Sequence, residues 1–312
     1  MSTLLISQPN GAGHVTPQGH PERADRLVAV EEALSASRFD SLVRRDPTTG
    51  DLNLIDLVHS PGYLRKLSDA RPAEGIRQLD EDTFISSGSL DVAASGLGGG
   101  LMALDAVLLG EVTNAFCAIR PPGHHAEIDR PMGFCLINTV AIVAREAQRK
   151  YGAERIAIVD FDVHHGNGTQ DIFKDDPTVF YASSHQMPLY PGTGAASETG
   201  VGNIVNTPLP PNSGTDAMRE AYSGIIFPAL RNFAPDLLLI SAGFDADHRD
   251  PLAQLQWQPN DFSWLTGKLL DLADRHCGNR VVSLLEGGYD LGGLAAGAVA
   301  HVSMLERGTS EP

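Results

Sequence analysis

Five short apolar runs stand out along the chain, at 115–119, 156–159, 179–182, 237–240 and 281–285. None alternates with polar residues, which is the pattern of parallel strands covered on both faces. Helical spacing fills the intervals. Over 138–151, Val140, Val143, Ala144 and Ala147 recur on one helical face, and Gly152 follows as a stop. Further helices are expected over 216–233, over 261–275 just beyond Pro259, and over 293–305, where small residues suit close packing. Strands alternating with helices predict an α/β fold with a mostly parallel sheet. The glycines of 96–100 are a weak linker signal, because helical residues resume at 101–109. With no internal repeat either, 1–312 reads as a single domain.

Composition narrows the possibilities. A chain of 312 residues, 42% of them hydrophobic, buries enough surface to fold without disulfides. Cys117, Cys135 and Cys277 are odd in number and widely spaced. That argues against a disulfide framework or a cysteine zinc ribbon, and Cys117 and Cys135 read as small core residues. The first eight residues lack the basic start and long apolar run of a signal peptide. No uninterrupted apolar stretch approaches the ~20 residues of a membrane span. The cytoplasm is therefore the expected compartment, with no membrane partner. A net charge of −16 weighs against direct nucleic-acid binding, which needs clustered Lys and Arg. It suits a cationic substrate such as a basic peptide or a polyamine, and equally an ordinary acidic protein.

In parallel α/β sheets, sites form beyond the carboxyl ends of the strands. Here those ends read Arg120-Pro121-Pro122-Gly123-His124-His125, Asp160-Phe161-Asp162-Val163-His164-His165-Gly166-Asn167-Gly168, Gly243-Phe244-Asp245 and Glu286-Gly287-Gly288-Tyr289. If the chain stays extended, Asp160, Asp162 and His164 point to one side. Asp245 could join them. Two aspartates and a histidine leave a fourth zinc position open, as a catalytic site requires. A single such aspartate is more often a helix cap or a salt-link partner. Four together are hard to explain that way, because buried acids are rarely unpaired. His124 and His125 cannot both bind one metal comfortably, but both can reach the attacking water, the position of a general base. His165 should point the other way and is read as structural. Tyr289, after two glycines, could donate a hydrogen bond to a developing oxyanion.

In this order, these motifs resemble those of the histone deacetylase family, which includes the acetylpolyamine amidohydrolases. His20-Pro21-Glu22-Arg23, Gly133-Phe134-Cys135 and Pro191-Gly192-Thr193-Gly194 extend the match from about residue 11 to 290. The resemblance implies the arginase/deacetylase fold, one α/β domain around a mostly parallel sheet of about eight strands. It implies one catalytic zinc ion on Asp162, His164 and Asp245, with His124 and His125 beside the attacking water. Asp160 would orient His124, and Tyr289 would polarise the substrate carbonyl. His125 would take the proton and return one to the leaving amine, while His124 stays protonated. Asn167 stands behind His125 where some members carry a carboxylate; class II relatives carry Asn there. An amide supports an imidazolium less well, which lowers the basicity expected of His125.

The resemblance further implies structural potassium near Asp160, Asp162, His164, Ser183 and Ser184, and a second potassium near Phe173, Asp176 and Val179. Phe134 and Tyr190 would line an acyl-lysine tunnel, with Gly133 and Gly287 also at the substrate and Asp82 at the rim. Tyr190 departs from the more usual Phe. The expected reaction is zinc-dependent hydrolysis of an acyl amide, on an acyl-lysine peptide, an acylated polyamine or another small amide. A two-manganese ureohydrolase would need more bridging carboxylates, and a non-catalytic acyl-binding protein would have less reason to keep the full set. A homo-oligomer is left open.

Overall fold

The computed structural model describes residues 2–308. In chain order its strands are β1 (Thr3–Ser7), β2 (Val43–Arg45), β3 (Ile76–Gln78), β4 (Phe84–Ser86), β5 (Asn114–Ala118), β6 (Ile156–Asp160), β7 (Val179–Gln186), β8 (Ile204–Leu209), β9 (Leu237–Ala242) and β10 (Val281–Leu285). Its α-helices are α1 (Asp25–Leu34), α2 (Tyr63–Ala70), α3 (Ser89–Leu108), α4 (Thr139–Tyr151), α5 (Asn167–Phe173), α6 (Thr215–Ala221), α7 (Phe227–Phe233), α8 (Pro259–Cys277) and α9 (Leu291–Arg307).

Eight strands form one sheet in the order β2-β1-β5-β10-β9-β6-β7-β8. Every pairing within it is parallel. Every residue of β5, β6, β9 and β10 is buried, which is why their sequences show no polar alternation. Side chains still alternate between the two faces. Ala157 and Val159 pack with α1, α8 and α9, whereas Ile156 and Ile158 pack with α3 and α4. The chain passes from β5 to β6 across the places later filled by β9 and β10. The carboxyl ends of these four strands therefore open into one crevice.

The helices carry legible punctuation. Asn138 caps α4 by accepting from the Ala141 N–H, and Gly152 ends it with φ 66°. A reciprocal capping box between Gln258 and Asp261 opens α8, with Pro259 in its first turn. The helix expected over 216–233 exists in pieces, because a π-turn at Tyr222–Ile226 separates α6 from α7. The glycines of 96–100 are no linker. They lie inside α3, where a Cβ on Gly98 would overlap the Thr48 carbonyl oxygen. This helix is long and apolar enough to cross a membrane, but 78% of its most apolar window is buried inside the protein, as in a core helix.

Candidate metal centre and active site

Each strand end delivers part of one cluster. Asp162 and His164 follow β6, Asp245 follows β9, His124 and His125 follow β5, and Tyr289 follows β10. Ligand atoms of Asp162, His164 and Asp245 lie within 4.8 Å of one another, and all three residues are buried. His164 Nδ1 is 3.0 Å from Asp162 Oδ1 and 3.3 Å from Asp245 Oδ2. One nitrogen carries at most one proton, so it cannot satisfy both oxygens, and Asp245 Oδ2 lacks a directed hydrogen bond. Burial and the nearby Asp162 push the Asp245 carboxyl above the usual range. Burial also opposes ionisation of Asp162, but His124 and His164 outweigh it and hold that carboxyl low. Two buried carboxylates and an imidazole converging with an unanswered oxygen are the donors a divalent ion such as zinc takes.

Asp160 departs from the extended-chain expectation. The strand ends at this residue, and the chain then folds back. The Asp162 N–H donates to Asp160 Oδ1 at 3.1 Å, and the His164 N–H donates to Asp162 Oδ1 at 2.9 Å. Asp160 is thereby kept out of the ligand group. Its Oδ2 instead meets His124 Nδ1 at 2.9 Å and the Tyr181 hydroxyl at 3.0 Å. The tandem imidazoles consequently differ. Burial disfavours a charged His124, but Asp160, Asp162 and Glu286 overcome it and push its pKa up to about 10. His125 is driven well below its ordinary value by burial, then by the positive charges of His124 and His164. Its Nδ1 lies 2.7 Å from Asn167 Oδ1. His165 faces away, bonded to Thr193 and Gln170.

Above the cluster lies a cavity of about 210 Å³ whose floor includes His125, His164 and Tyr289. Phe134 and Tyr190 form aromatic wall, and Asp82 also lines the cavity. Burial raises the Tyr289 phenol pKa well above 10, so its hydroxyl keeps its proton and remains a donor. Gly133, also on the wall, has φ 56°, and a Cβ there would overlap the His125 ring. Asp82 is tied to Phe134, since the Phe134 N–H donates to Thr83 Oγ1 and that hydroxyl donates to Asp82 Oδ1. Gly287 differs from its expected place beside substrate. It lies behind the ligands, its N–H donating to Asp162 Oδ2 at 2.8 Å, where a Cβ would overlap Asp245.

The potassium expectations meet mixed ground. Ser183 pairs with Asp160 across β6 and β7, but its hydroxyl, the side-chain ligand expected, bonds His185 Nδ1. The carbonyls of Phe173, Asp176 and Val179 do converge, but on the Asn203 Nδ2 atom at 2.8, 2.9 and 2.8 Å. An amide nitrogen therefore stands where the second cation was expected.

Several residues of the site were not read from the sequence. Glu286 was read only as part of its motif, yet it accepts from the Gly123 N–H at 2.6 Å, the His124 N–H at 3.2 Å and the Ser241 hydroxyl at 3.2 Å. Arg26 donates to the Gly288 and Glu286 carbonyls and lies 5.0 Å from the centre of the Tyr289 ring. Asp250 accepts from the Tyr289 N–H at 2.7 Å. An acid kept inside an apolar motif was the available signal for Glu286. The other two carried none beyond residue type.

Comparison with known proteins places these features in context. A family model described as the histone deacetylase domain matches residues 20–305. Histone deacetylase 10, chloroplastic, from Oryza sativa subsp. japonica is 38% identical over 94% of this chain and 71% of its own. A histone deacetylase-like amidohydrolase from Pseudomonas aeruginosa is 38% identical over 91% of this chain and 74% of its own. The crystal structure of the HDA15 HD domain superposes with a TM-score of 0.93 at 34% identity, covering 100% of this chain and 90% of that one.

Proposed function

The chain belongs to the histone deacetylase family, and from that premise we propose that it is a zinc-dependent deacylase that hydrolyses a linear acyl amide. The observation that carries this reading is the buried Asp162–His164–Asp245 group, with its unanswered oxygen, at the floor of an aromatic-walled cavity beside two imidazoles. Zinc held there would act as a Lewis acid on the amide carbonyl and make water acidic enough to attack near neutral pH.

The remaining work falls to side chains. His125, kept neutral, takes the proton from the attacking water and passes one to the departing amine. His124, kept protonated against Asp160, holds positive charge beside the reacting centre. The Tyr289 hydroxyl donates to the oxyanion as it forms. Phe134 and Tyr190 would enclose the apolar stem of the acylated amine, and Asp82 would engage a donor at the mouth.

Acyl-lysine peptides and acylated polyamines share such a stem, and the Asp82 carboxylate among the cavity's lining residues suits a cationic chain in either. Structural potassium would sit at the first set, Asp160, Asp162, His164, Ser183 and Ser184; at the second set the carbonyls of Phe173, Asp176 and Val179 already converge on the Asn203 Nδ2 atom. The test is turnover against acetyl-lysine peptides, acetylpolyamines and longer acyl amides, with chelator and after zinc is restored. Turnover of at least one class, lost to chelator and regained with zinc, is expected. No turnover of any class, or turnover indifferent to chelator, would overturn the reading.

A further inference from the structure

His125 is held by an amide, and an amide has two unlike ends. If the Asn167 oxygen faces His125, the ring donates from Nδ1–H and Nε2 keeps a lone pair for a proton. If the NH2 end faces it, the proton moves to Nε2 and the ring cannot act as a base there. The far end of the amide decides between the two. Asn167 Nδ2 lies 2.7 Å from Glu127 Oε1. An ionised carboxylate only accepts hydrogen bonds, so the NH2 end must face Glu127 and the oxygen must face His125. Met132 Sδ, 3.3 Å from the same nitrogen, is a weak acceptor and reinforces that choice.

Glu127 is itself well anchored. Its Oε2 receives Arg130 Nη2 at 2.9 Å and Nε at 3.2 Å. Its backbone carbonyl faces His59 Nδ1 at 2.9 Å. Its side chain is 23% exposed, so water can share its charge, whereas Asn167 is buried. The result is a line from the surface to the site: Arg130, Glu127, the Asn167 amide, the His125 ring.

We propose that Glu127 is a positioning residue which, through the Asn167 amide, locks His125 in the Nδ1–H tautomer and keeps Nε2 free to accept a proton. This rests on the deacylase reading for its catalytic meaning. The missing carboxylate behind His125 is thus supplied one link further out, with the amide as a directional spacer.

The test pairs nitrogen-15 NMR of the histidine rings in the zinc-loaded protein with kinetics. Wild type should show His125 protonated at Nδ1 and bare at Nε2. Glu127→Ala should mix the tautomers and lower kcat by ~10-fold or more with KM little changed, the scale of other outer-shell partners. Asn167→Asp alone sets two carboxylates face to face and should be worse. Asn167→Asp with Glu127→Gln restores a donor-to-acceptor contact, now running from the glutamine NH2 to the aspartate, and should recover the Nδ1–H signature and most of the lost turnover. A wild-type ring signature in Glu127→Ala, or a double variant no better than Asn167→Asp, would overturn the proposal. Failure of the wild type to cleave any acyl amide would sink the deacylase reading, while the ring signature would still decide the role of Glu127.

Discussion

Glu22 and Asp245 are both carboxylates buried out of solvent, yet one is fully answered by its neighbours and the other is not. Glu22 takes two bonds from Arg120, at 2.8 and 2.6 Å, and a third from Arg26 at 3.3 Å. The two Nη1 donors of Arg120 go to the Gly11 and His14 carbonyls at 2.5 and 2.7 Å. At the strand ends, by contrast, Asp160, Asp162, Asp245 and Glu286 crowd around His124 and His164, and one oxygen of Asp245 is left over. Burial is tolerable for a charge only when it is paired and hydrogen-bonded. The first cluster closes on itself and pins the N-terminal segment to the β5 end. The second sets four carboxyl groups against two imidazoles, and that shortfall of positive charge marks the place for a cation from outside.

The largest expected effect separates the two. Asp245→Asn should abolish zinc binding by elemental analysis and drop turnover to background, yet leave the thermal midpoint of chelator-treated protein unchanged or higher, since it removes a buried charge that is only partly answered by His164 and the Val163 N–H. A marked fall in that midpoint would show that Asp245 is structural like Glu22. Glu22→Ala should behave in the opposite sense. It strands two buried guanidinium groups and should cost ~3–5 kcal/mol of stability by urea unfolding, the usual scale for breaking a buried pair. A loss under ~1 kcal/mol would mean that water answers those charges instead.

Tyr289→Phe touches neither charge balance. It removes one oxyanion donor and should lower kcat ~100-fold or more, or ~2.7 kcal/mol, with zinc stoichiometry and thermal midpoint unchanged. Near-normal turnover would take the phenol out of the chemistry and leave it as wall.

These two clusters were not equally legible. Asp162, His164, Asp245 and the histidine pair stood out because such residues seldom follow buried strands without a task, and their spacing is local. An extended chain would set Asp160 on the same side as Asp162 and His164, whereas the resemblance gave it to His124, and its Oδ2 does lie 2.9 Å from His124 Nδ1. Glu286 works on Gly123, far along the chain, and no local pattern encodes a contact of that range. The same holds for Arg26, Glu127 and Tyr181, whose roles exist once helices and loops are packed. Of the sheet, the central strands were plain, because all their residues are buried. The outer strands were not: β2 is three residues long and none of them is fully buried, and β8 contains Pro208. The extra residue of the π-turn at Tyr222–Ile226 is invisible to a period count.

A subtler difference lies in how the two clusters answer to pH, and here the signs oppose. Burial raises the Glu22 pKa, but His14 and Arg120 outweigh it and hold it well below 4.5. A depressed carboxylate stabilises above its unfolded pKa and loses that contribution as pH falls toward the folded value. The buried neutral rings His59, His185 and His301, pushed down by burial to about 4, 4 and 3, act in the same direction, since unfolding in acid lets them charge. The acid limb of stability therefore draws on Glu22 and these rings, and on Asp162, which burial would raise but His124 and His164 hold low. Loaded protein should lose additional stability there, as acid competes with the ion for its carboxylates. His124 and His164 are the reverse case. Burial works against their charge, but the facing carboxylates raise both to about 10. Their contribution is complete below the ordinary imidazole value near 6.5 and fades as pH climbs through about 10. Zinc binds a neutral His164, so loaded protein gives up this proton in advance and should show a flatter alkaline limb than chelator-treated protein. Urea midpoints followed across the pH range in both states measure the two limbs separately. Superimposable alkaline limbs would mean that the strand-end charges are already balanced without a metal, and the contrast with Glu22 would disappear.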